Sequence, residues 1–358
     1  MKILFLVPYP LNEAPSQRFR FEQYFKSLAQ SHIQYKLKPF FKSKNYKFFF
    51  EPGRYLSKIL ILLGGFIRRS IVCVEALKYD FVFIHREAGP VGPPVTEWII
   101  GRILKRKIIY DFDDAIWITD KTNEGWIEKR IRNRGKISQI CQWSYKVSAG
   151  NQYLAAFAKQ FNDRVVVNPT TIDLEHVHCL PMQAKPREDG RIIIGWTGSH
   201  STLKYLKEIE PALQRIEDKY PQCEVWVIAD QTPDVKLSRC HFKKWSLETE
   251  ISDLAQLDIG VMPLPDDEWS KGKCGFKALQ YMALEIPAIV SPVGVNTTII
   301  EHGVTGFLAE DTEQWFETLC LLIDNSALRA QIGAAGKKIV EKNYSVQSNT
   351  NTFLKLFT

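Results

Sequence analysis

The sequence predicts an α/β protein of two domains, each a parallel sheet covered by helices on both faces. Three observations carry that reading. Apolar, strand-like runs alternate with amphipathic segments along the chain. The alternation halts at a polar stretch, MQAKPREDG (182–190), and restarts directly after it. At 358 residues the chain has the length of two ordinary domains.

The elements follow in order. KILFLVPY (2–9) is a first buried strand. It meets prolines at once and lacks the length and cleavage pattern of a signal peptide. RFRFEQYFKSLAQ (18–30) has helical spacing. FVFIH (81–85), RKIIYDF (106–112), YKVSAG (145–150) and RVVVNP (164–169) read as strands, with GPPVTEWIIGRIL (92–104) as an intervening helix. After the restart, RIIIGWTG (191–198), CEVWVIAD (223–230), DIGVMPLP (258–265) and PAIVSP (287–292) are strands. LKYLKEIEPALQRIEDKY (203–220) and a tail from Thr312 are helical. Runs that are apolar throughout, joined by helices, are those of parallel strands buried on both faces. The expected organisation is two Rossmann-like domains, 1–185 and 186–340, with a C-terminal helix over 341–358 packing back toward the first. Ligands of such sheets bind at the carboxyl ends of the strands, so the cleft between two facing domains is the expected site.

Hydrophobic residues make up 45% and charged residues 24% of the chain, enough apolar material for two cores. The seven cysteines are scattered and form no CxxC pair. That pattern points to reduced thiols in the cytoplasm and away from a disulfide framework or a zinc site. The net charge of +7 is unevenly spread. Residues 1–165 hold 28 basic and 14 acidic residues, a balance of +14, and the remainder holds 19 and 26, a balance of −7. The two halves are expected to face different partners. For the basic half these are an anionic membrane, a nucleic acid, an acidic substrate, or solvent alone.

Residues 40–70, FFKSKNYKFFFEPGRYLSKILILLGGFIRRS, break the alternation. Their apolar core, ILILLGGFI, is too short to span a bilayer. Two readings stand: a segment lying on an anionic membrane surface with its lysines among the headgroups, or a helix packed on its own domain with basic ends.

The densest chemistry lies in GKCGFKALQYMALEIPAIVSPVG (272–294). A loop, a helix opening near Phe276 and a buried strand follow one another. A helix N-terminus presents unpaired N–H groups and a partial positive charge. Gly272 and Gly275 would let a phosphate approach the backbone, and Lys273 and Lys277 add formal charge. Together they form a candidate diphosphate site. The alternative is a flexible loop with solvated lysines.

The stretch KALQYMALEIPAIVSPVGVNTTIIEHGVTGFL resembles the donor-binding core of the retaining glycosyltransferases of family four (group 1), which have the GT-B fold. That family shows an E-x7-E loop-helix, an E-A-M-A-x-G-x-P-V-V run and a later E-I-V-x-x-G-x-x-G-F-L. The second is QYMALEIPAIV here and the third is TIIEHGVTGFL. The resemblance is strong over about 255–345 and thin in the N-terminal half. It departs at two places, since Gln280 stands at the second glutamate and Gly272 at the first. In the family the second glutamate binds the nucleotide ribose. A glutamine keeps an acceptor oxygen there and adds a donor.

The resemblance implies a metal-independent transfer of a sugar from a nucleoside-diphosphate sugar, the co-substrate, with retention at the anomeric carbon. No other cofactor is expected. The acceptor implied is a glycan or a lipid-linked glycan of cell-surface polysaccharide synthesis, met at the inner membrane face. Donor-binding candidates are Gly198, Ser199, Trp245, Lys273, Gly275, Phe276 and Gln280, with Ser246 beside Trp245. Trp245 is also readable as core. Lys204 and Lys277 are candidates for neutralising the departing diphosphate, where charge builds, and Lys204 is equally readable as a surface lysine opening a helix. Asp113, in YDFDDAIW (110–117), falls where the family often has a histidine beside the donor sugar. There it could bond sugar hydroxyls or steady positive charge at the anomeric carbon. Its alternative is capping of a following helix by Asp113 or Asp114. A metal held by Asp111, Asp113 and Asp114 is the other reading of this cluster, disfavoured because the helix and lysines meet the phosphate charge. Ser16, Arg18 and Arg20 follow the first strand as acceptor-binding candidates, or as an N-cap with two outward arginines. Arg86, with His85 and Glu87, points at the same edge.

Two other function classes fit parts of the chain. A basic nucleic-acid-associated protein would explain the charge of the first half, but no recognition motif accompanies it, and no nucleic-acid partner is expected. A catalytically silent GT-B scaffold would explain the missing glutamates. An NAD oxidoreductase is disfavoured by the lack of a GxGxxG after a strand.

Overall fold

A computed structural model describes residues 1–51, 53–119, 124–179 and 190–358. The chain divides into two compact units. One comprises Met1–Thr170, Gly272–Cys274 and Asn349–Thr358, and the other Thr171–Lys271 and Gly275–Ser348. The expected division at 185/186 lies outside the described residues.

In the first unit the strands β1 (Lys2–Val7), β2 (Gln34–Pro39), β3 (Phe81–His85), β4 (Lys107–Phe112), β5 (Lys146–Ala149) and β6 (Val165–Val167) form one parallel sheet in the order β2-β1-β3-β4-β5-β6. Helices α1 (Pro15–Arg18), α2 (Phe25–Gln30), α3 (Ser43–Phe50), α4 (Tyr55–Glu75), α5 (Val95–Trp98), α6 (Trp126–Arg132), α7 (Lys136–Trp143) and α8 (Gln152–Lys159) lie between them in sequence. Apart from their first residues, β1 and β4 are buried, and β3 is buried throughout. That is why their sequences show no polar alternation. The edge strand β2 carries Lys36 and Lys38, which pair with Glu75 of α4 at 2.7 Å each, and charge on an edge discourages pairing with another chain.

Residues 40–70 resolve into α3 and α4. Arg69 of α4, expected as a basic end, is 2% exposed. It donates to the carbonyls of Ala88, Lys38 and Val7, at the ends of strands and the loop after β3. Among the described residues no helix is long and apolar enough to cross a membrane. The C-terminal residues of the chain belong to this unit through aromatic packing. Phe353 stacks on Tyr24 with centroids 4.3 Å apart, and Phe357 lies 6.2 Å from Phe83.

In the second unit β7 (Ile192–Gly198), β8 (Cys223–Ala229), β9 (Cys240–Lys244), β10 (Ile259–Met262), β11 (Ala288–Val290) and β12 (Phe307–Leu308) form a parallel sheet in the order β12-β11-β10-β7-β8-β9. Helices α9 (Glu210–Lys219), α10 (Glu250–Leu254), α11 (Glu268–Lys271), α12 (Phe276–Ala283), α13 (Asn296–Ile299), α14 (Thr312–Asp324) and α15 (Ser326–Ile339) accompany it. Helix α16 (Val346–Leu354) leads into the C-terminal segment. Trp196, Leu213, Ile216, Val227, Trp315 and Leu319 are central to its core. The strand order reverses between β7 and β10, and at such a reversal the loops leaving the two strands part and open a crevice at their carboxyl ends.

Candidate functional site

At the reversal in the second unit, β7 ends on Gly198 and the loop after β10 leads to α12. Gly275 is the N-cap of α12 at φ +68°, a left-handed conformation that favours glycine. A Cβ there would also stand 2.2 Å from Ile299 Cδ1. The glycine N-cap supplies no side-chain hydrogen bond to this helix, and its first turn holds no acid. Gly198 makes room for the lysine. A Cβ on it would lie 2.8 Å from Lys277 Cε and 2.5 Å from the Trp196 ring. Lys277 Nζ stands 5.3 Å from the centroid of that ring. Gly198, Gly275, Phe276 and Lys277 are thus brought together, with an ammonium at the positive end of one helix.

Around this group the other candidates are more scattered. Lys204 is exposed in the 3-10 helix His200–Glu208, its Nζ 5.4 Å from the Tyr205 ring. Ser199 is exposed, its Oγ 2.9 Å from Ser201 Oγ. Trp245 follows β9 and is half-buried, and Ser246 Oγ lies 3.1 Å from Thr249 Oγ1. Gln280 is 1% exposed, and its amide Nε2 donates to Glu250 Oε1 of α10 at 3.4 Å. Sequence reasoning missed Glu250. It lies thirty residues from Gln280, and only the packing of α10 and α12 joins them.

Lys273 belongs to the first unit, where its Nζ donates to Asp114 Oδ1 at 2.9 Å. Arg86 completes the cluster, with Nε on Asp113 Oδ1 at 2.8 Å and Nη2 on Asp114 Oδ2 at 2.5 Å. These four side chains are between 12% and 21% exposed. Arg86 holds a left-handed backbone, φ +57°, fixed by Tyr110 Oη donating to its carbonyl and by its own N–H on Asp111 O. Burial raises the Asp114 pKa, but the charges of Lys273 and Arg86 outweigh it and hold the carboxyl below its usual range. Asp113 caps no helix, because turn and bend follow it to residue 119.

Behind this cluster lies a fully buried network that spacing did not show. Arg20 is 1% exposed and pairs through Nη2 with Asp111 Oδ1 at 2.5 Å, while Nη1 donates to Asn168 O. Ser148 Oγ donates to the same Asp111 oxygen at 2.6 Å, and His85 Nδ1 lies 2.8 Å from Asp111 Oδ2. Burial opposes the ionised form of Asp111, yet the Arg20 charge and the His85 and Arg20 hydrogen bonds hold its pKa well below the carboxylate range. An ionised Asp111 only accepts, so His85 carries its proton on Nδ1. Among the described residues its Nε2 then has no hydrogen-bond partner, and it stands 4.0 Å from Asp113 Oδ1. Cys274, buried here, has Sγ 3.2 Å from Asp113 O, and burial pushes its thiol pKa up.

The outward arginines expected as the alternative at residues 16–20 are corrected. Arg18 is 8% exposed with its guanidinium 4.8 Å from the Phe19 ring, and Arg20 is sealed in the Asp111 network. Ser16 is not the cap of α1 either. Ala14 occupies the N-cap and Pro15 opens the helix. The three carboxylates Asp111, Asp113 and Asp114 each face a cation of the chain. Among the described residues no group of three or more His, Cys, Asp and Glu side chains is arranged to hold a metal ion.

Comparison with known proteins adds the following. Residues 191–325 match the family model of Glycosyl transferases group 1. A stretch of 90 residues is 36% identical to the capsular polysaccharide biosynthesis glycosyltransferase CapM of Staphylococcus aureus, spanning 23% of this chain and 24% of that protein. The fold is similar to that of HepE of Anabaena, solved in complex with UDP and glucose, at 14% identity over 99% of this chain and 98% of HepE, with a TM-score of 0.66. It is also similar to sucrose-phosphate synthase of Thermosynechococcus elongatus, at 12% identity over 100% and 98% of the two chains, with a TM-score of 0.68. At these identities the likeness to the solved structures is one of fold.

Proposed function

We propose that this chain, a GT-B protein whose residues 191–325 form a glycosyl transferases group 1 domain, is a retaining transferase that moves a sugar from a nucleoside-diphosphate sugar to a glycan or lipid-linked acceptor. One observation carries the reading. At the strand reversal of the second sheet, the N-terminus of α12, opened by Gly275 and with no acid in its first turn, and the Lys277 ammonium converge beside Gly198. A diphosphate is the anion such a site fits, because amide donors, helix dipole and formal charge act on neighbouring oxygens. The same groups favour departure of the diphosphate, where negative charge grows as the glycosidic bond breaks. Lys204 is the second cation assigned to that charge. No metal is needed in this scheme, and no cofactor beyond the donor.

Retention rests on the family resemblance. HepE has been solved with UDP and with UDP-glucose, which makes uridine donors the first to try. The CapM likeness supports a role in polysaccharide synthesis. The positive balance of residues 1–165 supports an acceptor met at an anionic membrane surface, on the cytoplasmic face. Asp113, between Arg86 and His85, is assigned to sugar hydroxyls near the reacting centre, and Arg86 to the acceptor side.

The test is thermal-shift screening against UDP, GDP, ADP and TDP sugars, repeated with Lys277→Ala. A shift with one base, lost in the variant, is the expected result. A shift that survives the substitution removes Lys277 from the site. Release of nucleoside diphosphate on adding acceptor separates an active enzyme from a silent scaffold that binds donor without turnover.

A further inference from the structure

We propose that α4 and the neighbouring α5 and α6 form a docking surface for an anionic lipid leaflet, with the apolar side of α4 lying in the headgroup boundary. The proposal rests on the membrane reading above and names the surface that meets the membrane, but it does not depend on the donor chemistry.

The carrying observation is the outer face of α4. Leu56 is 80% exposed, Leu60 68%, Leu63 53%, Ile67 64%, Ile71 63% and Val74 69%. Their spacing of three and four residues sets all six on one stripe, running most of a helix about 30 Å long. The opposite side is buried through Gly65, Arg69, Val72 and Cys73. A helix on a solvated surface carries polar residues outward, and this one is apolar on both sides. It cannot roll to hide the stripe. The Phe40 ring lies within 2.8 Å of where a Gly65 Cβ would be, and Arg69 is bonded to three carbonyls.

The surface extends beyond α4. Helix α5 packs against α4 and exposes Trp98 at 45%. The loop before α5 bonds α6 through Gly92 N to Ile131 O at 2.8 Å, and α6 exposes Trp126 at 74%. Lys129, Arg130 and Arg132 share that short helix. Exposed tryptophans beside basic residues suit the headgroup level, where an amphipathic ring and a cation are both favoured.

A second copy of the chain is the other occupant to weigh, and charge decides against it. Two copies meeting here would bring together two chain halves of +14 each, whereas an anionic leaflet supplies the opposite sign. The apolar contact comes from α4.

The full chain is tested by flotation with vesicles of phosphatidylcholine alone and of phosphatidylcholine mixed with phosphatidylglycerol. Binding to the mixed vesicles, weakened by added salt, is expected. The double variant Leu60→Glu/Ile67→Glu should lose at least about 100-fold in vesicle affinity, and Trp126→Ser should lose less. Because these side chains are exposed, melting temperature and any nucleotide-induced shift should stay as in the parent chain. Failure of the parent to bind mixed vesicles, or equal binding by the double variant, overturns the proposal. A parent dimer that the double variant converts to monomer, without vesicle binding, also overturns it and assigns the face to a second copy. Vesicle binding without any nucleotide shift would sink the donor reading and leave this proposal standing.

Discussion

Lys273 Nζ lies 2.9 Å from Asp114 Oδ1, while Arg86 Nη2 holds the other oxygen of the same carboxylate at 2.5 Å. One anion therefore answers two cations, and both pairs are mostly shielded from water. Removing Asp114 leaves Lys273 and Arg86 facing each other with Asp113, bonded to Arg86, as the carboxylate beside them, which is costlier than losing either pair alone. Asp114→Ala should lower stability by about 2–4 kcal/mol. Lys273→Ala, which leaves the Arg86 pair intact, should cost less than about 1.5 kcal/mol. Urea or thermal unfolding of the two variants checks the ordering. Equal losses would show that Lys273 and Arg86 do not share the carboxylate.

Arg20 is predicted to matter for folding rather than for substrate. Its guanidinium is sealed between Asp111, Ser148 and Asn168. Arg20→Ala strips the buried Asp111 of its arginine and leaves it the Ser148 and His85 hydrogen bonds, which should cost about 3–5 kcal/mol. Soluble yield and melting temperature should fall together. An Arg20→Ala protein of parental stability with lost acceptor binding would return this residue to the acceptor site.

Much of this architecture was legible in the sequence, and the reason is the buried parallel strand. KILFLV, FVFIH and CEVWVIA are apolar at nearly every position because helices cover both faces, and their shortness and their β-branched and aromatic residues mark them as strands. The pairing of Gly275 with Lys277 was legible too, since a glycine before a helix and a lysine in its first turn are adjacent in sequence. What escaped was long-range pairing of polar groups. Arg20 and Asp111 are 91 residues apart, and nothing in EAPSQRFRFEQY distinguishes an arginine that points out from one that is buried. Lys273 and Lys277 looked alike as loop and helix lysines, yet one pairs with a carboxylate of the first unit and the other lies over Trp196. The exposed stripe of α4 was half legible. Its apolarity was plain, but both sides of the helix are apolar, so periodicity could not tell the packed side from the open one.

Gly275→Ala should be damaging for two additive reasons. The left-handed φ of +68° costs a residue with a Cβ about 1–2 kcal/mol. The new methyl would also stand 2.2 Å from Ile299 Cδ1, forcing α13 or the start of α12 to shift. A total loss of about 2–4 kcal/mol is expected, with weaker nucleotide binding because the helix amides move. Ile299→Ala in the same chain should recover the packing part and leave the backbone part. Thermal melting of the single and double variants separates the two.

Acid should destabilise the first unit through Asp111. Its folded pKa lies below the ordinary carboxylate value because Arg20 and His85 favour the ionised form over the cost of burial. A carboxyl lowered in this way contributes its stability above the unfolded value, near 4. The contribution declines as pH falls below about 4 and is gone once the folded carboxyl is protonated. Asp114, also lowered, acts in the same sense. Melting temperature should therefore drop steeply between about pH 5 and pH 2, and less steeply in Asp111→Asn, whose starting stability is already reduced. A parallel decline in both proteins would remove Asp111 as the cause.

Gln280 beside Glu250 yields a prediction about why a glutamine stands at this point. The amide Nε2 donates to Glu250 Oε1 across 3.4 Å in a place where both residues are at most 3% exposed. Restoring a carboxylate by Gln280→Glu would set two buried acids in contact, and one of them must stay protonated for the pair to remain folded. Keeping a proton above the unfolded pKa makes folding less favourable as pH rises through about 4 and beyond. The variant should therefore lose about 2–4 kcal/mol at neutral pH and regain part of it near pH 5, opposite in sign to the acid effect at Asp111. The exchange Glu250→Gln/Gln280→Glu again pairs one amide with one carboxylate and should recover most of the loss. Melting curves of the two single variants and the exchange, at pH 5 and pH 7.5, check this. A Gln280→Glu chain as stable as the parent at both pH values would show that the two side chains do not share a buried contact, and that the amide is there for another reason.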